Sequence, residues 1–339
     1  MSSNVLGRQV AKTALSYEGA KQGSKKHKEL VDTFNKVHPN GQTASYSDAW
    51  CAITWTAVQK MCGNTQKDVP MGYNVPNLVT QAKKLGIWVE SDSHIPRAGD
   101  GIVYDWQDNG KGDNKGDADH IGIVYKVDKG YIYAIEGNTT KRDERGRAIA
   151  TKICAKRKLK IDGQFIRGFI CPKYNAIYID RMARKLSWKQ GTDKAKYKVK
   201  GGKPNKAFRD TWKKYFPKSK YNSGCHTFVK LVLKVCGYRT MPLKWSEIIK
   251  YLRGKQRFSE VKFKGKASEL RKGDVMIYRR VDSKGKHYHI WAIVEVNGKL
   301  CMAEANQGRY YAHQTKTLKK ALKSYDKVWL FRPKEGKVR

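Results

Sequence analysis

Two stretches of the chain, WCAITWTAVQKMCG (50–63) and GCHTFVKLVLKVCG (224–237), each set one cysteine at the start of a helical pattern and a second eleven residues later. A thiol at a helix N-terminus faces unpaired backbone N–H groups and the positive end of the helix dipole, and both favour the thiolate. Each stretch is followed by one His, one Glu and one Asn in the same order: His120, Glu136 and Asn138, then His289, Glu304 and Asn306. A His at the start of a strand can take a thiol proton and return it to a leaving amine. Glu and Asn two apart on a strand share a face, so one carboxylate could orient the imidazole while one amide steadies it or polarises a carbonyl. Cys51, His120, Glu136 and Asn138, with Cys225, His289, Glu304 and Asn306, therefore read as two catalytic sets. A lone buried cysteine is more often a small core residue, and it is the joint recurrence that favours chemistry. Cys62 and Cys236 end their helices about 16 Å from the first cysteines, too far to bridge, and read as core.

The recurrence extends along the whole chain. VDTFNKVHP (31–39) pairs with RDTWKKYFP (209–217), RAGD (97–100) with RKGD (271–274), HIGIVYKV (120–127) with HIWAIVEV (289–296), IEGN (135–138) with AEAN (303–306), and ICPK (170–173) with FRPK (331–334). Cys51 to Asp100 and Cys225 to Asp274 are both 49 residues. The chain reads as a diverged tandem repeat with domains at 1–174 and 175–339.

The elements that must position these residues are alike in the two halves. A helical region comes first, then a helix from each leading cysteine to the capping positions Gly63 and Gly237. Short strands follow: GIVYD, HIGIVYKV, GYIYAIE and FIRGFIC in one half, and VMIYR, HIWAIVEV, KLCMAE and KVWLF in the other. Asn297-Gly298 marks a hairpin turn. Helices followed by an antiparallel sheet make each half α+β. RAGD and RKGD read as turns entering a strand.

The 339 residues carry a net charge of +40, unevenly distributed. Residues 1–174 hold 27 Lys/Arg against 18 Asp/Glu, whereas 175–339 hold 43 against 12. Such charge calls for an anionic partner, which nucleic acid, anionic lipid or a wall polymer would each satisfy. Seven cysteines, an odd number, with no CxxC pair and no Cys/His cluster at zinc spacing, suit a reducing compartment. No run approaches the ~20 apolar residues of a membrane span, and the start has the look of an amphipathic helix, not a secretory signal.

Only the first half holds an acidic loop, DWQDNGKGDNKGDAD (105–119). Asp105, Asp108, Asp113, Asp117 and Asp119 among glycines offer oxygen ligands of the kind calcium takes. A solvated polar loop is the competing reading. No cofactor is required for the thiol chemistry itself.

WCA opening a helix, then RAGDGIVYDW, the acidic loop, DADHIGIV and IEGNT resemble the CHAP amidohydrolase/peptidase domains of phage endolysins. The second half resembles the same papain-like superfamily, closer to an NlpC-type variant. The resemblance implies two papain-like domains in tandem, peptidoglycan as substrate, and amide cleavage with Cys51 and Cys225 as nucleophiles. It likewise implies His120 and His289 as bases, Glu136 and Glu304 as orienting groups, and Asn138 and Asn306 as accessory polar residues. The second half departs from the pattern: Gly224 stands where Trp50 does, His226 follows the cysteine, and His287 competes with His289 for the role of base.

The expectation is a monomeric endolysin-type enzyme, held in the host bacterial cytoplasm until lysis and then acting at the cell wall. Its basic second half would grip anionic wall polymers, with neither nucleic acid nor stable membrane insertion involved. Two alternatives stay open: a second half that only binds the wall, and, more remotely, a basic nucleic-acid binder. Amidase and endopeptidase would use the same residues.

Overall fold

The computed structural model describes residues 4–108, 116–187, 206–220, 225–254, 257–306, 309–314 and 325–335, with backbone alone for 304–306 and 309–314. The chain divides into two compact units, one mainly Leu6–Lys173 and one mainly Tyr174–Gly336.

The first unit opens with four helices: α1 (Val5–Leu15), α2 (Lys25–Val37), α3 (Cys51–Met61) and α4 (Val75–Lys84). Local chemistry sets their starts. Ser24 caps α2 by accepting from His27 N, and Asn74 caps α4 by accepting from Asn77 N at 2.9 Å, with Pro76 in the first turn. α2 and α4 bury one stripe each, whereas Cys51 to Gln59 of α3 are buried without interruption. A helix apolar all round belongs at the centre of its unit.

Six strands follow: β1 (Trp88–Val89), β2 (Gly101–Tyr104), β3 (His120–Asp128), β4 (Tyr131–Arg142), β5 (Ala148–Lys160) and β6 (Ile166–Ile170). They form one antiparallel sheet in the order β1-β6-β2-β3-β4-β5. β5 escapes a reading by apolar runs because KICAKRKLK alternates charge with short apolar residues, the pattern of a sheet edge.

The second unit repeats the plan. Helices α5 (Tyr174–Leu186), α6 (Lys206–Tyr215), α7 (Cys225–Val235) and α8 (Trp245–Leu252) precede β7 (Phe258–Val261), β8 (Val275–Asp282), β9 (Gly285–Val296), β10 (Lys299–Asn306), β11 (Arg309–Gln314) and β12 (Lys327–Pro333). Its antiparallel sheet runs β7-β12-β8-β9-β10-β11, the same order position for position. Asn297 and Gly298, with φ of 50° and 74°, make the tight turn between β9 and β10. One face of the sheet packs against the helices through Phe228, Leu231, Ile277, Ile290 and Phe331; a second cluster holds Met276, Trp291, Ile293 and Leu330.

The entry turns correspond in detail. Gly99 and Gly273 have φ of 95° and 85°, and each donates its N–H, at 2.8 Å, to the carbonyl of Val124 or Ile293. A Cβ on Gly99 would lie 2.7 Å from Gly7 Cα, and one on Gly273 2.6 Å from Ala176 Cα. Only glycine fits a left-handed position pressed so closely on another backbone. Both units are α+β. Among the described residues no helix is long and apolar enough to cross a membrane.

Candidate active site

Cys51 is the first residue of α3 and His120 the first of β3, and both are almost fully buried. His120 stands opposite Tyr104 in the β2–β3 register, so the two side chains share a sheet face. The imidazole interacts with both the Cys51 thiol and the Glu136 carboxylate. Its Nε2 lies 3.2 Å from Glu136 Oε2.

Glu136 is completely buried, yet its carboxylate oxygens are met by hydrogen-bond donors. Arg157 of β5 donates Nε to both carboxylate oxygens at 2.8 and 2.9 Å, and Thr139 donates its hydroxyl at 3.0 Å. Arg157 Nη2 donates in turn to Thr139 Oγ1 at 2.9 Å. Burial alone would raise the Glu136 pKa, but the His120 hydrogen bond and the charges of His120 and Arg157 bring it down to about 2. Burial likewise opposes a charged His120, and its bonds to Cys51 and Glu136 overcome this and raise it to about 10. The carboxylate is therefore an acceptor, and His120 Nε2 must be the donor.

Room for this contact comes from Gly122, whose missing Cβ would stand 2.9 Å from Glu136 Cγ and 3.3 Å from Ala134 Cβ. Above the imidazole, Trp106 stacks on Tyr104 with ring centres 5.0 Å apart and planes 6° from parallel. The Arg157 guanidinium lies 5.5 Å from the Trp106 ring centre, and Trp106 keeps 40% of its surface exposed. An aromatic wall thus borders the site and opens to solvent.

Asn138 is not placed as strand alternation predicts. It has φ of 53°, and the β4–β5 register shifts between Glu136 and Thr139. The bulge ends the alternation, so Thr139, three residues on, joins the Glu136 network. Arg157, Thr139 and Tyr104 were not singled out in the sequence. Arg157 lay in a run of cations that reads as a solvated face, but Tyr104 recurs as Tyr278 and was there to be found.

The structure describes the acidic loop at its two ends, 105–108 and 116–119. Asp105 and Asp119 converge: the Gln107 side-chain amide is placed to donate to Asp105 Oδ1 at 2.8 Å and to Asp119 Oδ2 at 2.7 Å, and Trp106 N donates to Asp119 Oδ2. Asp113 lies outside the described residues. Among those described, Asp108 and Asp117 do not complete a group of three carboxylates with this pair. The loop's own amides occupy part of the oxygen surface that a cation would use.

In the second unit Cys225 opens α7, and His289 of β9 stands opposite Tyr278 of β8, the register of His120 and Tyr104. Burial would raise the Cys225 thiol, but hydrogen bonds with His226 and His289 lower it to about 6. His287 points elsewhere, its Nε2 2.9 Å from Asp282 Oδ1 on the surface. The structure therefore brings His289, not His287, to the thiol. Glu304 and Asn306 lie on β10, but their side chains fall outside the described residues. The position of Gly122 is held here by Trp291, fully buried and edge-on to His289 at 5.9 Å.

Residues 35–138 match the family model described as the CHAP domain, and Cys51, His120, Glu136 and Asn138 all fall within the match. CHAP domains are typical of peptidoglycan amidases and cysteine peptidases, so the match implies peptidoglycan as substrate. No curated protein and no solved structure matches the chain.

Proposed function

We propose that the first unit hydrolyses an amide bond of peptidoglycan with Cys51 as nucleophile, His120 as general base and acid, and Glu136 as the group that orients His120. The observation that carries this is the buried series thiol, imidazole, carboxylate, lying within the matched domain. With Nε2 given to Glu136, Nδ1 is the nitrogen left for the thiol. The Cys51 sulfur attacks the carbonyl carbon while backbone N–H groups at the start of α3 face the developing oxyanion. The imidazolium gives its proton to the leaving amine, and the thioester that remains is hydrolysed by a water that His120 deprotonates. Glu136, kept ionised by Arg157, holds the ring and stabilises its charged form.

Cys225 and His289 would run the same chemistry in the second unit, with His226 as a second partner of the thiol. The excess of 43 Lys/Arg over 12 Asp/Glu in 175–339 would hold the enzyme on anionic wall polymers. A wall-binding second unit without activity is the other reading, favoured by Trp291 in the place where Gly122 admits Glu136. The role is that of an endolysin of phage type, acting as a monomer, kept in the host cytoplasm until lysis and needing no cofactor for the reaction. Calcium at Asp105 and Asp119 would serve to fix the Trp106 loop and would take no part in the reaction.

Digestion of purified sacculi by wild type, Cys51→Ala and Cys225→Ala, with mass spectrometry of the released fragments, tests the reading. Each fragment class lost with one cysteine identifies that unit's bond. Undigested sacculi with all three proteins would reject the function.

A further inference from the structure

The buried carboxylates that close the two entry turns are balanced differently. Asp100 and Asp274 are equivalent: each is fully buried, and each accepts from the backbone N–H of the Arg three residues earlier, at 2.8 and 2.9 Å. In the second unit Arg332, from the end of β12, donates Nε and Nη2 to Asp274 at 2.9 and 2.8 Å. The residue aligned with Arg332 in the first unit is Cys171, by the match of ICPK to FRPK. A guanidinium has been exchanged for a thiol, and the buried carboxylate has stayed.

Beside that thiol stands an imidazole. His94 Nε2 lies 3.5 Å from Cys171 Sγ, and a His94 ring nitrogen, Cys171 Sγ and an Asp100 carboxylate oxygen are all within 4.8 Å of one another. The three come from separate segments: His94 follows β1, Cys171 follows β6 and Asp100 precedes β2, and these strands are neighbours in the sheet. No spacing rule along the sequence could find them. Each position is anchored, Cys171 by donating its N–H to Ile87 O at 2.7 Å and His94 by its ring against Phe169 at 5.3 Å.

We propose that the first unit binds one divalent metal ion of the zinc type through His94 Nε2, Asp100 and Cys171 Sγ. Nitrogen, oxygen and thiolate sulfur together are the donor set of a borderline-soft cation and are unsuited to calcium or magnesium. Bond lengths of about 2.3 Å to sulfur and about 2.0 Å to nitrogen, at a tetrahedral angle, put the two ligand atoms about 3.5 Å apart, the separation found. His94 and Cys171 are each partly exposed, which leaves the fourth position open to water.

The Arg97 guanidinium pairs with Asp100 Oδ1 at 3.7 Å, and its Nη2 donates to Pro172 O at 3.1 Å. On binding, the S–H proton passes to solvent and the sulfur–metal bond forms, so that a thiolate and a carboxylate face the ion. β2 separates Asp100 from Tyr104 and His120 by four residues, on the order of 13 Å. The ion would therefore tie three strand ends together and take no part in the thiol chemistry.

The full chain carrying Cys51→Ala and Cys225→Ala removes both candidate nucleophiles as competing ligands, so the outcome does not depend on the proposed activity. Titrated with Co²⁺ after treatment with chelator, this protein should take up one equivalent with a sulfur-to-cobalt charge-transfer band, which Zn²⁺ then abolishes. Cys171→Ser should lose the band, and His94→Ala should weaken Co²⁺ binding at least tenfold. Cys171→Arg, which copies the second unit, should fold and show a melting temperature indifferent to Zn²⁺, whereas the parent is stabilised by it. No band in the parent, a band that survives Cys171→Ser, or equal Zn²⁺ stabilisation of Cys171→Arg would overturn the site.

Discussion

His120 Nε2 donates to Glu136 Oε2 at 3.2 Å across the one position of β3, Gly122, that carries no side chain. The contact joins a cation to an anion, both inside the fold, and Arg157 keeps the carboxylate ionised from the far side. Replacing Glu136 by Gln keeps the shape and removes the charge. The expected result is a fall in kcat of about 10²–10⁴-fold with little change in KM, read from fragment release by the first unit. An unchanged kcat would remove Glu136 from the mechanism.

Gly122 gives a steric version of the same test. A Cβ there meets Glu136 Cγ at 2.9 Å and Ala134 and Ile102 side chains at 3.3 Å. Both flanking strands are fixed, so Gly122→Ala should displace the carboxylate, lower kcat by more than tenfold and cost about 1–3 kcal/mol of stability. Thermal melts and fragment release read the two effects separately.

The pH dependence of stability follows from the two shifted groups. Glu136 is depressed to about 2, so its contribution is full above the ordinary carboxylate range and fades as pH falls towards 2. His120 is raised to about 10, so its contribution is full below about 6.5 and fades as pH rises towards 10. The pair should therefore stabilise the first unit most near pH 5–6.5. The difference in melting temperature between wild type and Glu136→Gln should be largest there and shrink towards pH 10; a constant difference would contradict the pairing.

In the second unit the prediction concerns the thiol. Cys225 is lowered to about 6 by His226 and His289, whereas burial holds Cys236 well above the ordinary thiol value. Iodoacetamide should alkylate Cys225 with a midpoint near pH 6 and leave Cys236 untouched. His226→Ala and His289→Ala should each move that midpoint upward. Peptide mapping after timed labelling measures both.

The order of Cys51, His120 and Glu136 was legible because helix starts and strand starts leave local signals, and because a second copy repeated them. The strands of the first unit were half legible: apolar runs mark β2, β3, β4 and β6, while the charged edge β5, which carries Arg157, has no such run, and the order of strands in the sheet has no local signal. Asn138 departs from the expected face because alternation holds only while the backbone stays extended, and its positive φ sits at a bulge within β4. The His94, Asp100 and Cys171 group was invisible for a different reason. Its members meet only once β6 is inserted between β1 and β2, a long-range pairing that no short spacing encodes.

The central claim is that a cysteine thiolate in the first unit breaks an amide of peptidoglycan. Its most direct measurement is fragment release from purified sacculi by the Cys225→Ala protein, with and without the added change Cys51→Ala. The account predicts release with Cys51 present and none, at equal protein and equal fold by circular dichroism, once it is replaced. Release that continues from the doubly substituted protein would contradict it.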